Sequence, residues 1–350
     1  MEKNGRIIYL DLLRIFAIFG VVVIHVSAIA KSYDIGTFTS NVGIIYNGLV
    51  RWSVPVFFMI SGAMFLRPEK EYTFSIMIKK YIPRLLVCLL VWGFIYALFD
   101  VYLYSSFSVK TLILSVWNTI SNNSGYHLWF LFALIALYLM IPVFKIIVNN
   151  LSQKQLAFVI ILWMVLSLGV TQFNEIASSL DIPLKIDWYF PMITSWAGYF
   201  LLGHYLVSYD IKKPCKILLI VIGVALLVLC PVINMFATAY KGEYIESFIP
   251  QSGLTACFVA IAFFLIFKGF SKVSFSERNK KIIVNVSNNI FGIYLIHALV
   301  NSVIFHIVNL KLDFINPIIS IQLLSVFVFV ISFIIVWILR KIPIIKKVVE

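Results

Sequence analysis

The sequence predicts an all-α fold, a polytopic transmembrane helical bundle of about ten spans with both termini cytoplasmic. Three observations predict it. First, 62% of the 350 residues are hydrophobic and 12% are charged, with a mean hydropathy of +1.00. Water-soluble chains run nearer half apolar and a quarter charged. Second, the apolar residues fall in runs near 20 residues, the helix length that crosses a hydrocarbon core of roughly 30 Å. Third, Lys and Arg alternate between loops. Of 28, twenty lie at the two ends or in even-numbered loops, and five (Lys31, Lys110, Lys185, Lys241, Lys311) in odd-numbered ones. That bias sets orientation and accounts for the net charge of +13.

The spans are expected at 7–29, 44–66, 82–104, 128–148, 156–173, 189–207, 215–236, 252–270, 287–309 and 318–340. The first resembles a signal peptide in having Lys3, Arg6 and the small-residue run Ala28-Ile29-Ala30. Asp11 and Arg14 interrupt its apolar region, however, and more spans follow, so it reads as a retained helix. In the second span, PVFFMISG (55–62) places Pro55, Ser61 and Gly62 where a kink or close packing is expected, an architectural role. KKYIPR (79–84) leads into the third and HLWFL (127–131) into the fourth, where Trp129 reads as an interfacial belt residue. FGIYLIH (291–297) lies in the ninth, and the tenth ends at Arg340. His204 and His306 fall near span ends. The longest polar segments, 105–127, 174–188 and 237–251, are external and contain Glu175, Asp181, Asp187, Glu243 and Glu246. The chain is one membrane domain, 1–350, placed in the cell membrane as a multi-pass protein.

Cys88, Cys215, Cys230 and Cys257 are dispersed in or beside apolar runs, with no C-x-x-C pair. They read as small buried apolar residues; no disulfide framework and no metal site is expected. The positive charge belongs at the headgroups of membrane lipids rather than on nucleic acid.

An ionisable side chain at membrane depth is costly unless paired or hydrated, so each one marks a candidate site. Ile15 to Ile24 carries no polar side chain, yet Asp11 and Arg14 stand at one end of this run and His25 at the other. Asp11 and Arg14 are three apart and can pair. Arg14 and His25 are eleven apart, which is three helical turns plus about 20° and a rise of about 16 Å. All three therefore share one stripe, which should face the bundle interior, with His25 toward the outside. Arg51, about seven residues into the second span, is expected near the level of His25. It suits an oxyanion or an acidic acceptor; snorkelling to the headgroups is the other reading. His127 is expected at the outer mouth of the fourth span. Tyr294 and His297 share a face near mid-span in the ninth, either as further acceptor-side groups or as interhelical hydrogen-bonding groups. Lys79, Lys80 and Arg84 cluster near a helix N-terminus, which suits phosphates or lipid headgroups.

Taken in order, LDLLR with the R-x10-H spacing of Arg14 and His25, VPVFFMISG, KKYIPR, HLWFL, YFLLG (199–203) and FGIYLIH resemble the acyltransferase-3 family of integral membrane acyltransferases, over nearly the whole chain. The resemblance implies transfer of an acyl group, usually acetyl, from cytoplasmic acetyl-CoA to a hydroxyl of a cell-envelope glycan or its lipid-linked precursor. It also implies that Arg14 and His25 are the functional pair. The family often shows R-x-x-R at the start of its third helix; here the register is Lys80 and Arg84, with Lys79 beside them. Some relatives carry an added esterase-like or racemase domain, and this chain resembles the membrane-only members.

Acyl transfer needs a base for the acceptor hydroxyl and positive charge or donors for the oxyanion. His25 is expected as general base or transient acyl carrier, and Arg14, beside Asp11, as the residue that holds the CoA arm or polarises the thioester. Lys79, Lys80 and Arg84 are expected on CoA phosphates. Arg51 and His127 are expected on the acceptor side with His297 and Tyr294. A transporter or flippase of a glycan or small metabolite is the alternative, since intramembrane Arg and His also mark substrate paths. No duplication of the Asp-Arg-His helix supports it.

Overall fold

The structure, a computed structural model, describes residues 6–104, 108–121, 127–187 and 196–349. No strand occurs among them. The helices are α1 (Ile8–Ala28), α2 (Phe38–Val50), α3 (Ser53–Phe65), α4 (Ile82–Tyr104), α5 (Val109–Ser121), α6 (Trp129–Asn150) and α7 (Gln153–Ser179). They continue as α8 (Ala197–Ser208), α9 (Lys213–Lys241), α10 (Leu254–Gly269), α11 (Glu277–Asn288), α12 (Ile290–Ser302), α13 (Pro317–Leu339) and α14 (Pro343–Val349).

Among the described residues nine helical stretches are long and apolar enough to cross a membrane. They correspond to every expected span except the sixth. The expected 189–207 begins in residues outside those described; its described part is α8, 12 residues, shorter than a bilayer crossing requires. Several helices overrun their expected ends. The second stretch starts at Phe38, not at 44, because Thr37 caps it by accepting from the Ser40 amide at 3.3 Å. The third starts at Phe74 under a Thr73 cap. Lys79 and Lys80 therefore lie in a π turn (Met77–Tyr81) inside the helical stretch, not at its N-terminus. Pro83 has no N–H to give to the preceding turn, and such a widened turn accommodates it. Cys215 is exposed, against the expectation of burial; Cys88, Cys230 and Cys257 are buried.

The chain packs as two compact units. The first comprises Met1–Lys70, Ile146–Ser287 and Leu312–Val326; the second comprises Glu71–Lys145, Asn288–Lys311 and Phe327–Glu350.

In the first unit α1 packs on α2, α3 and α10, and α9 packs on α2 and α10. Phe16 stacks on Trp52, which stacks on Phe263 with ring centroids 4.0 Å apart. The tightest crossing is α3 on α8. A Cβ added at Gly62 would stand 2.0 Å from the Phe200 carbonyl oxygen, and one at Gly203 would stand 1.9 Å from that of Met59. Each helix thus offers a glycine to the other's backbone, the small-residue contact that draws membrane helices together. This is the structural reason for Gly62 in VPVFFMISG and for Gly203 in YFLLG. The α2–α3 stretch breaks at Arg51 and Trp52. Pro55 is the cause, since it cannot donate to the carbonyl of Arg51 four residues earlier.

In the second unit α4 packs on α5 and α14, and α12 packs on α14. Trp92 donates to the Val348 carbonyl at 2.9 Å and Tyr96 to that of Leu295 at 2.8 Å. Gly292, in the FGIYLIH segment, lies against Val336 and the Val349 carbonyl.

A methyl group at the α3–α8 crossing must push backbone, not a flexible side chain. Gly62→Ala or Gly203→Ala is therefore expected to cost about 3 kcal/mol, read as a lowered thermal unfolding midpoint of the purified protein. An unchanged midpoint in both variants would show that the helices do not approach this closely.

Candidate functional site

The N-terminal end of α1 is held by Asp11, a buried carboxylate. Its main partner is Arg6, from the charged segment that precedes the helix. Arg6 donates through Nε to Oδ2 at 2.7 Å and through a terminal nitrogen to Oδ1 at 3.0 Å, a bidentate pair. The Ser287 hydroxyl, at the end of α11, donates to Oδ1 at 2.6 Å. Arg14 stands farther off, 3.9 Å from Oδ1, and keeps 30% of its side chain exposed. The expected Asp11–Arg14 pair thus forms as the weakest of three contacts.

The stripe from Arg14 to His25 runs along the inner side of α1. Ile18 and Val21, between them on the same face, are buried, Ile18 completely. Arg14 and His25 at its two ends are half-buried. Phe16, about 200° around the helix from Arg14, is 41% exposed. The helix therefore turns its polar stripe away from the side on which it shows its most exposed residue.

On either side of His25, α1 is tied to α2. Asn47 donates to the Ile24 carbonyl at 3.0 Å and to the Ser27 hydroxyl at 3.1 Å, while its Oδ1 accepts from Arg51 Nε at 2.7 Å. Arg51 is 8% exposed. It does not snorkel: its terminal nitrogen pairs with the carboxylate of Glu246, which also accepts from Lys31 at 2.7 Å. Both cations meet the same oxygen, Oε1. Burial pushes the Glu246 carboxyl up, but Arg51 and Lys31 outweigh it and hold the group down at about 2. The loop carrying Glu246 is fixed by Asn234, bonded to the Ile245 carbonyl at 2.9 Å and to the Phe248 amide at 3.3 Å. Tyr244 adds hydrogen bonds to the carbonyls of Ala30 and Tyr33 at 2.9 and 3.1 Å. A small pocket opens here, lined by Ser27, Lys31, Asn47, Asn234, Tyr244 and Glu246 among others.

Three of the expected acceptor-side residues come together in the second unit. The His127 and His297 rings are 4.9 Å apart between centroids, and His127 and Tyr294 likewise 4.9 Å. The Tyr294 hydroxyl donates to the His127 carbonyl at 2.7 Å. His297 Nδ1 lies 2.7 Å from the Tyr294 carbonyl. Tyr96, which the sequence did not single out, places its ring 5.2 Å from that of His127. All four side chains are buried. Lys79, Lys80 and Arg84, also in this unit, are exposed, and Lys80 lies over the Tyr81 ring at 5.6 Å.

The arrangement supplies an imidazole, His25, that follows directly on the Ile24 carbonyl bonded by Asn47, the residue that also holds the Arg51 guanidinium. It also supplies a guanidinium, Arg14, about three turns away at the other end of the same stripe. Among the described residues no group of three or more His, Cys, Asp or Glu is placed to hold a metal ion. The sequence signal for Asn47 was present, four residues before Arg51 and so on the same helix face. Glu246 and Ser287 gave none. The family model described as an acyltransferase domain matches residues 7–340 of the chain. No curated protein and no solved structure matches it.

Two outcomes are expected. Asp11→Asn keeps an acceptor for Ser287 but loses the ionic partner of Arg6, and should cost about 2 kcal/mol, seen as a lower unfolding midpoint that Arg6→Gln lowers little further. Glu246 has its folded value depressed from 4.5 to about 2. Its stabilisation is therefore complete above about pH 4.5 and is lost as the pH falls through 4.5 toward 2. Hydrogen exchange of residues 242–253, corrected for intrinsic rates, should accelerate over that interval, and flat protection would contradict the ion pair.

Proposed function

The chain belongs to the acyltransferase-3 family, and from that premise we propose that it transfers an acetyl group from cytoplasmic acetyl-CoA to a hydroxyl of a cell-envelope glycan or its lipid-linked precursor. The observation that supports this reading best is the α1 stripe. It carries a cation and a base at opposite ends of one inward face, on a chain with nine membrane-length apolar helices among its described residues.

In this reading His25 Nε2 or Nδ1 accepts the proton of the acceptor hydroxyl as the oxygen attacks the thioester carbonyl. The C–S bond then breaks, the acetyl group stays on the acceptor oxygen, and the proton held by His25 goes to the departing sulfur. The rise of about 16 Å between the two residues puts Arg14 too far from His25 to serve an oxyanion formed beside it. Arg14 is therefore assigned to holding the extended arm of CoA, with Asp11, fixed by Arg6 and Ser287, setting the inner end of α1. Lys79, Lys80 and Arg84 are exposed cations of the right type for CoA phosphates. Arg51 is the acceptor-side cation of the first unit. Tyr294 positions His127 through its backbone carbonyl, and these two with His297 are the acceptor-side groups of the second.

The test is transfer of radiolabelled acetyl from acetyl-CoA to isolated envelope glycan by the full chain in vesicles. His25→Ala should lower the rate at saturating acetyl-CoA by 10²-fold or more, the scale of a lost general base. Arg14→Ala should raise the KM for acetyl-CoA more than it lowers kcat. Transfer by His25→Ala at the normal rate would overturn the assignment, and glycan flux without any acetyl transfer would favour a transporter.

A further inference from the structure

We infer that Lys31 and Arg51 form a carboxylate-binding cradle for an acidic sugar of the acceptor, and that Glu246 is its displaceable stand-in. The inference rests on the acyltransferase reading and narrows its acceptor to carboxylate-bearing glycans.

Two cations from different segments converge on one carboxylate oxygen. Arg51 cannot leave: it is nearly buried, and Asn47 fixes its Nε. Asn47 is bonded in turn to the Ile24 carbonyl, immediately before His25. The guanidinium is thus referenced to the backbone of the proposed base, and a carboxylate docked on it brings the rest of its sugar to the outer end of α1. Glu246 differs from its two partners in mobility. Its backbone is held on either side through Asn234, yet its side chain is 37% exposed. It can leave the cradle by rotation of the side chain alone. Ser27, Asn47 and Tyr244 line the adjoining pocket with their polar groups bonded within the protein, so they give it a fixed shape beside the two cations. One cation would suffice to pair Glu246; the second gives an incoming carboxylate two cations to meet, with Glu175 the other carboxyl close enough to interact with Arg51 and Glu246.

The test uses the full chain in phosphatidylcholine nanodiscs with no acyl donor present. Trp52, which lines a pocket with Arg51, reports binding by its fluorescence as methyl β-glucuronoside or methyl β-glucoside is added. The glucuronoside should saturate at least tenfold below the glucoside. Glu246→Gln should tighten glucuronoside binding several-fold by removing the competing carboxylate. Lys31→Gln, at a half-exposed position that leaves the Asn47–Arg51–Glu246 chain intact, should erase most of the preference, and Arg51→Gln all of it. Equal affinity for the two sugars, saturation by neither, no tightening in Glu246→Gln, or a preference that survives Lys31→Gln would each overturn the inference. So would loss of glucuronoside binding in phosphatidylglycerol nanodiscs, which would assign the cradle to a lipid headgroup. Because the titration involves no acetyl transfer, its failure leaves the acyltransferase reading to the vesicle assay.

Discussion

A charge taken out of water must bring its counter-charge with it, and the polar architecture of this protein follows from that constraint. Asp11 at the N-terminal end of α1 and Arg51 at the α2–α3 break are both nearly buried. Each is met by an opposite charge and by neutral hydrogen-bonding groups. For Asp11 these are Arg6 and Ser287; for Arg51 they are Glu246 and Asn47. The effect is to fix α1 at both ends. The residues proposed to act, Arg14 and His25, stand next to these anchors and remain half-exposed. Rigid supports and accessible reactive groups are thus divided between neighbouring residues on one helix.

The apolar packing serves the same end. Reciprocal backbone contacts at Gly62 and Gly203 bring α3 and α8 together more closely than any side chain would permit. Pro55 interrupts the hydrogen-bond ladder just above, and the break falls on Arg51 itself. A residue at such a break is released from the regular helical direction, which lets the guanidinium meet Asn47 behind it and Glu246 from a distant loop. One motif, VPVFFMISG, therefore sets both the closest helix contact of the first unit and the geometry of its most buried cation.

In the second unit the polar residues are organised by aromatic rings rather than by charge. His127, His297, Tyr294 and Tyr96 form one buried cluster, with hydroxyls bonded to backbone carbonyls. A tyrosine hydroxyl that satisfies a carbonyl at a helix start holds the adjoining imidazole in place without adding charge to an apolar interior. The exposed Lys79, Lys80 and Arg84 follow the opposite rule, since cations at a helix surface need no internal partner.

The sequence by itself determined what depends on local periodicity. Runs of about 20 apolar residues located the nine membrane-length helical stretches found among the described residues. The eleven-residue spacing placed Arg14 and His25 on one stripe, and the Pro55–Gly62 segment marked a kink and a close contact. The types of residue on HLWFL and FGIYLIH were enough to nominate His127, Tyr294 and His297 before their rings were seen together. Tertiary structure alone decided which groups neutralise the buried charges. Ser287 lies 276 residues from Asp11, and Glu246 lies 215 from Lys31. Helical periodicity carries no information over such distances, and a surface glutamate in a polar loop looks the same in sequence whether it faces water or a guanidinium. The starts of the second and third membrane stretches escaped for a related reason. Thr37 and Thr73 cap them through hydrogen bonds of the folded backbone, in polar sequence that hydropathy reads as loop.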